Sequence, residues 1–227
     1  MFKLFHDINT ELVELCLAEV EKNDAAHRSV HIHEVAMNSI AIAARHGIGN
    51  FIPFKLAALI HDMFTHVNRK RHHELSAQWA RDNLPKYGYE VYAELVAGMC
   101  LNHRASGDGL YSNLHEQIFA AGDRGPVSLR RAVERCIVDV NTSDVHELFK
   151  HYVRAKTHLI EKFSDGGYSC VNPVHEEMYG HQLLDMRKEL AAFTFDEFYR
   201  FYTDRDSFKI TVRGLEDQYA MFTGKGS

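Results

Sequence analysis

Apolar residues recur at helical spacing along nearly the whole chain, and this pattern limits the folds that the chain can adopt. Between residues 32 and 43, apolar or small side chains recur every three or four positions, at Ile32, Val35, Ala36, Ser39, Ile40 and Ala43. This period places them on one face of an α-helix. A β-strand pattern of alternating apolar and polar residues is suggested only by residues 208–212. The sequence therefore predicts an all-α protein.

The same spacing predicts further helices, separated by glycine- and proline-containing segments. They lie near residues 54–61, 74–84, 91–103, 114–122, 129–140, 148–159 and 198–202. Asp144 with Glu147, and Thr194 with Glu197, have the spacing of capping boxes at helix starts. Residues 104–113 and 164–173 are the clearest loops, because glycine, serine and asparagine cluster there.

Length and composition indicate one sizeable domain. The chain has 227 residues, of which 45% are hydrophobic and 25% charged, and these values exclude wholesale disorder. We expect a single all-α domain over residues 1–227. Within it we expect a core at about 25–145, a C-terminal helical extension at about 146–205 and a polar tail at 206–227.

Charge and motifs exclude several classes of function. The net charge of −5 gives no electrostatic footprint for duplex nucleic acid or an anionic membrane surface. The sequence has no apolar run of about 20 residues and no secretory leader, so we expect no membrane partner. Dinucleotide, P-loop and α/β-hydrolase motifs are absent. The cysteines, which form no CxxC pair, suggest reduced thiols and a cytoplasmic location; they are Cys16, Cys100, Cys136 and Cys170.

Histidine stands out in the composition, with 16 residues. The pair His61-Asp62 ends the apolar helix that contains residues 56–60, His31 opens an upstream helix, and Asp123 ends a downstream one. Imidazole and carboxylate groups brought together from separate helices could bind one divalent cation and leave positions for water and substrate. The other histidines are expected to be surface or helix-capping residues unless their context indicates a site.

This order of ligands, in these helices, resembles the HD-domain superfamily of metal-dependent phosphohydrolases. The segments that carry the resemblance, over roughly residues 28 to 126, are HIHEVAMNSIAIAARHG, LAALIHDM and IFAAGDRG. The resemblance implies an HD-type helical bundle, here with additional C-terminal helices. It also implies that His31, His61, Asp62 and Asp123 bind one ion.

Two further segments extend the resemblance to dinuclear members of the superfamily. RHHELSAQWA contributes His72 and His73, and MCLNHRASGDG contributes His103. By its position in the segment, His73 is preferred over His72 as the ligand, so that Asp62, His73 and His103 would hold a second ion. The donor set suits Fe, Mn, Zn, Co or Ni and does not choose among them, nor between one ion and two.

The resemblance implies hydrolysis of a phosphoester by metal-activated water, with Asp62 as the catalytic residue. A small phosphorylated substrate, of the nucleotide class, is the expected partner. Its phosphate oxygens would be bound by the three arginines next to the ligands, namely Arg28, Arg104 and Arg124. The aromatic residues of the second half are expected to pack in the core, and the less favoured alternative is that Tyr168 or Asn172 covers a nucleobase.

Two alternatives remain open. Some members of the superfamily use the same six-ligand arrangement as a di-iron centre that cleaves C–C or C–P bonds with oxygen. A catalytically inactive HD module that binds a nucleotide is the second alternative.

Overall fold

The computed structural model describes residues 3–104, 110–167, 171–208 and 210–222. Within these ranges the regular elements are all helical and no β-strand is present, which confirms the all-α prediction. The α-helices are α1 Thr10–Val20, α2 Ser29–Arg45, α3 Ile52–Ile60, α4 His72–Asn83, α5 Ala93–Asn102, α6 Leu114–Arg124, α7 Leu129–Ile137, α8 Val145–Phe163, α9 Pro173–Ala192, α10 Phe195–Thr203 and α11 Val212–Phe222. Helices α1, α9 and α11 are additions to those located from the sequence.

The chain divides into two compact units. The first unit comprises Met1–Gly125 and Ile210–Ser227, and the second comprises Pro126–Lys209. These limits differ from the expected core at 25–145, since the first unit includes α1 and α11, and α7 belongs to the second unit.

The first unit is centred on α3, whose residues from 53 to 60 are all buried. Helix α2 packs against α3 and α6, while α4 packs against α5. Helices α2 and α6 approach closely because Gly122 has no side chain: a Cβ there would lie 2.8 Å from the backbone nitrogen of Ser39. This close approach brings the C-terminal turn of α6 against α2.

The expected polar tail at 206–227 is wrong for most of its described part. Residues from Val212 to Phe222 form α11, which packs against α2 and the 3-10 turn Lys3–Phe5. Leu215 and Tyr219 are both buried, and their i, i+4 spacing places them on one face of α11. The possible strand at 208–212 is also wrong, because Val212 begins the helix.

The second unit has a core of aliphatic and aromatic side chains from α7 to α10. Phe193 and Phe198 are almost completely buried in it, and the rings of Tyr152 and Phe195 pack around them. The Thr194–Glu197 capping box is present at the start of α10, and the Asp144 side chain caps α8. Both helix starts therefore lie where the sequence predicted them.

Other sequence predictions have a mixed outcome. Cys16, Cys100 and Cys136 are free thiols, whereas Cys170 lies outside the described residues. Tyr168 also lies outside them; Asn172 is buried and caps α9 by accepting a hydrogen bond from the backbone N–H of His175. None of the described helices is long and apolar enough to cross a membrane.

Candidate metal centre

The candidate site lies in the first unit, where the ends of five helices meet. His31 is in the first turn of α2, His61 follows α3, His72 begins α4, His103 follows α5 and Asp123 lies in the last turn of α6. Helix ends suit a site of this kind, because a side chain at a terminus can turn into the space between neighbouring helices.

One group of ligands consists of His31, His61 and Asp123. Their candidate ligand atoms all lie within 4.8 Å of one another. Nε2 of His31 is 3.1 Å from Oδ1 of Asp123, and Nε2 of His61 is 3.7 Å from the same oxygen. The two histidines are buried, so the group could hold a cation away from bulk water.

Asp62 lies between this group and a second one. Its Oδ2 is 3.6 Å from Nε2 of His31 and 3.4 Å from Nε2 of His61. Its Oδ1 is 3.2 Å from Nε2 of His72 and 3.8 Å from Nε2 of His103. Each oxygen of one carboxylate therefore faces a different pair of imidazoles.

The structure places His72, rather than the expected His73, beside Asp62, and the choice of metal ligand between them stays a prediction. His72 is the first residue of α4, is buried, and directs Nε2 towards Asp62 and His103. The nearest carboxylate oxygen to Nε2 of His73 belongs instead to Glu74, at 3.9 Å. Adjacent helical residues point about 100° apart, so the two rings leave α4 in different directions, and the sequence segment by itself does not show which of them faces the cluster.

The hydrogen bonds at Nδ1 fix which nitrogen of each imidazole is available to a metal. Nδ1 of His61, His72 and His103 lies 2.9, 2.8 and 2.6 Å from the backbone oxygens of Ala58, Arg69 and Cys100. A carbonyl oxygen only accepts, so each Nδ1 carries the proton. In the neutral rings each Nε2 then presents a lone pair to the cluster.

This tautomer makes a bound cation favourable. Nε2 of His72 and Nε2 of His103 are 3.2 Å apart, and in the neutral tautomers two lone pairs face each other across that distance. Nε2 of His61 is buried without a hydrogen-bond partner among the described residues. A divalent cation satisfies such nitrogens, so the residues present fit a metal centre.

The electrostatics of the cluster also favour positive charge. Burial opposes protonation of His61, but the carboxylates of Asp62 and Asp123 outweigh it and raise the pKa of His61 to about 9. Burial would raise the pKa of Asp62, yet the neighbouring imidazoles, led by His61, hold it well below its usual range. The pKa of His103 is lowered to about 3 by burial and by the charge of His61.

The structure adds supporting residues that sequence reasoning missed. The Asn23 amide is buried; its Nδ2 donates to the backbone oxygens of Asp62 and His27, and its Oδ1 accepts from the backbone N–H of His66. Thr65 donates its hydroxyl proton to Oδ1 of Asp62 at 3.2 Å, and Ser76 donates to the backbone oxygen of His61 at 2.8 Å. These residues match no motif, and only their contacts identify them.

The three arginines expected to bind phosphate are held by backbone or phenol oxygens. Nε of Arg28 donates to the backbone oxygen of Asn23, and Nη1 of Arg104 donates to that of Lys70. Arg124 donates through Nη1 and Nη2 to the hydroxyl of Tyr111. Their contacts with a substrate remain a prediction.

Comparisons with known proteins give a limited result. No protein-family model and no curated protein matches this chain. A solved structure that it resembles is that of a predicted HD superfamily hydrolase from an uncultured Thermotogales bacterium. The alignment covers 81% of this chain and 92% of that chain, at 19% identity and a TM-score of 0.47. Within this chain itself, His31, His61, Asp62 and Asp123 converge on one site.

Proposed function

We propose that the protein is a metal-dependent phosphohydrolase with a centre for two cations, acting on a nucleotide or a nucleotide-like phosphoester. The observation that carries this proposal is the position of Asp62. One oxygen faces His31 and His61, and the other faces His72 and His103. A carboxylate in this arrangement is suited to bridging two ions, and the proposed ligand set is His31, His61, Asp62, His72, His103 and Asp123.

Divalent cations bound there would polarise a phosphoryl oxygen and acidify a coordinated water. The backbone carbonyls of Ala58, Arg69 and Cys100 orient three of the imidazoles through their Nδ1 protons. Hydrogen bonds to the nitrogen of an imidazole that faces away from the metal tune a metal site as well as orienting its ligands.

Arginine at the edge of the cluster supports an anionic substrate. Arg104 directly follows His103. Its Nη1 donates to the backbone oxygen of Lys70 at 2.8 Å, and this hydrogen bond holds one side of the guanidinium in place. A planar guanidinium can bind two phosphate oxygens at once. We therefore place Arg104 first among the phosphate-binding candidates, followed by Arg28 and Arg124.

The test combines metal analysis with a phosphate-release screen. The purified protein, loaded separately with Mn, Fe, Co, Ni or Zn, would be assayed on nucleoside mono-, di- and triphosphates and on cyclic dinucleotides. We expect bound metal and release from at least one class. Asp62→Asn should lower the rate by about three orders of magnitude, or about 4 kcal/mol of barrier, whereas Asp82→Asn, an exposed change of the same type on α4, should not.

Absence of phosphate release with every metal tested would refute the proposal, whether or not the protein binds metal. Oxygen consumption by a form containing two irons, without any phosphate release, would favour the di-iron oxygenase instead. Nucleotide binding that is as strong in Asp62→Asn as in the wild type, without phosphate release by either protein, would favour the inactive binding module.

A further inference from the structure

A buried carboxylate on α6 lies outside the proposed ligand set. Glu116 is 4% exposed, and its Oε2 accepts hydrogen bonds from Nδ2 of Asn102 and from the backbone N–H of Ser112, both at 2.8 Å. Its Oε1 accepts from Nδ2 of Asn113 at 3.0 Å. These three donors are neutral, and burying a charge is costly unless its hydrogen bonds are satisfied. So specific a set of contacts points to a structural task for this carboxylate.

The donors come from both ends of the connection between α5 and α6. Asn102 is the last residue of α5, while Ser112 and Asn113 come directly before α6. A single oxygen, Oε2 of Glu116, therefore joins the two ends. His103 follows Asn102 directly, so whatever fixes the end of α5 also limits where the His103 ring can point.

Helix α5 is shaped to receive the same carboxylate. A Cβ at Gly98 would lie 2.6 Å from Oε1 of Glu116, closer than real Cβ contacts allow. Gly98 and Asn102 are one helical turn apart, so both lie on the face of α5 that meets Glu116. One position provides space and the other provides a donor.

From these contacts we infer that Glu116 is a positioning residue for the metal centre. It holds the C-terminal turn of α5 so that Nε2 of His103 faces Asp62 and His72. The inference rests on the metal centre of the proposed function, because Glu116 would support the cation position formed by His72, His103 and Oδ1 of Asp62 without being a ligand itself. It requires an acceptor oxygen at Glu116, and a negative charge there is not needed.

The test is a cobalt titration of metal-stripped protein, followed by visible absorption. In the wild type we expect two Co²⁺ ions to bind. In Glu116→Ala the affinity for one of them should fall by about 10- to 100-fold, the usual effect of removing a residue that orients a metal ligand, while the affinity for the other ion is unchanged. Glu116→Gln should recover most of this loss, since its carbonyl oxygen can take the place of Oε2. Glu94→Gln, an exposed change on α5, should match the wild type.

A second measurement needs neither metal nor activity. In the metal-free protein, the Nδ1 proton of His103, bonded to the backbone oxygen of Cys100, should give a protected imidazole NMR signal. We expect this signal to shift or exchange faster in Glu116→Ala, while that of His61 is unchanged. Gly98→Ala, which displaces the carboxylate without removing it, should act in the same direction and replaces Glu116→Ala if that variant does not fold.

The possible results separate the alternatives. Unchanged cobalt affinities and an unchanged His103 signal in Glu116→Ala would overturn the inference. An equal loss in Glu116→Gln would show that charge is what matters, and would also overturn it. A wild-type protein that binds cobalt but hydrolyses no phosphoester would refute the proposed function and leave this inference standing.

Discussion

The two units of the chain bury very different side chains. The first unit buries polar or charged groups on α2, α3, α4 and α6 and in the turns beside them, including Asn23, Lys55, Ser76 and Glu116 as well as every proposed ligand except the partly buried Asp123. In the second unit the buried polar residues among those described are Asn172 and His175, and the core is otherwise aliphatic and aromatic. Buried polar groups need partners at fixed positions, whereas apolar side chains need only volume and shape. The comparison indicates that the first unit is organised around a site and the second around packing.

The largest effect on stability is expected in the second unit. Phe198 is completely buried among the rings of Tyr152 and Phe195. Phe198→Ala should lower the free energy of unfolding by about 3–5 kcal/mol, because the lost burial is joined by the cost of a cavity. Urea denaturation measures the loss, and cobalt titration of the folded variant should give wild-type affinities. A weaker metal centre in this variant would contradict the separation of roles.

A smaller loss of stability, joined by a loss of metal affinity, is expected at Asn23. Asn23→Ala leaves the backbone oxygen of Asp62 and the backbone N–H of His66 without their partner. We expect about 1–3 kcal/mol less stability and weaker cobalt binding. A variant that loses stability but keeps full cobalt affinity would show that Asn23 supports only the fold.

The pH dependence of the metal-free protein should also distinguish the first unit. The pKa of His61 is raised to about 9 in the folded state, against about 6.5 for an ordinary histidine. The unfolded chain therefore loses this proton first, so stability from His61 is complete below pH 6.5 and falls as the pH rises to about 9. The lowered pKa of His103 acts below pH 6.5 and in the opposite direction. Urea denaturation between pH 6.5 and 9 should show the decline, and His61→Gln should flatten it.

The smallest effects come from a matched pair of hydroxyl groups. Thr65→Val removes a hydrogen bond to Oδ1 of Asp62, and Thr194→Ala removes the cap of α10. Each should cost about 1 kcal/mol of stability. Only Thr65→Val should also alter the cobalt spectrum, because only Thr65 contacts a proposed ligand. Equal spectra in the two variants would mean that the Thr65 contact does not tune the centre.

Much of the fold was predictable, because local rules decide where helices form. The capping residues Asp144 and Thr194 marked the starts of α8 and α10, and apolar spacing located α2. The polar tail expected after residue 206 is instead mostly helix α11, because the two buried apolar residues Leu215 and Tyr219 lie on one face of an otherwise polar segment. Division into two units was also beyond the sequence, since it depends on which helices contact one another.

The all-α class and the order of His31, His61, Asp62, His103 and Asp123 follow from residue type and spacing alone. Which of His72 and His73 faces Asp62 does not follow from them, and it is seen only in the folded chain. The direction of a side chain depends on the rotation of its helix against its neighbours, and α4 is turned so that His72 faces Asp62. The same holds for Asn23, whose partner Asp62 is distant in the sequence, and for Glu116 on α6, whose partner Asn102 lies on α5.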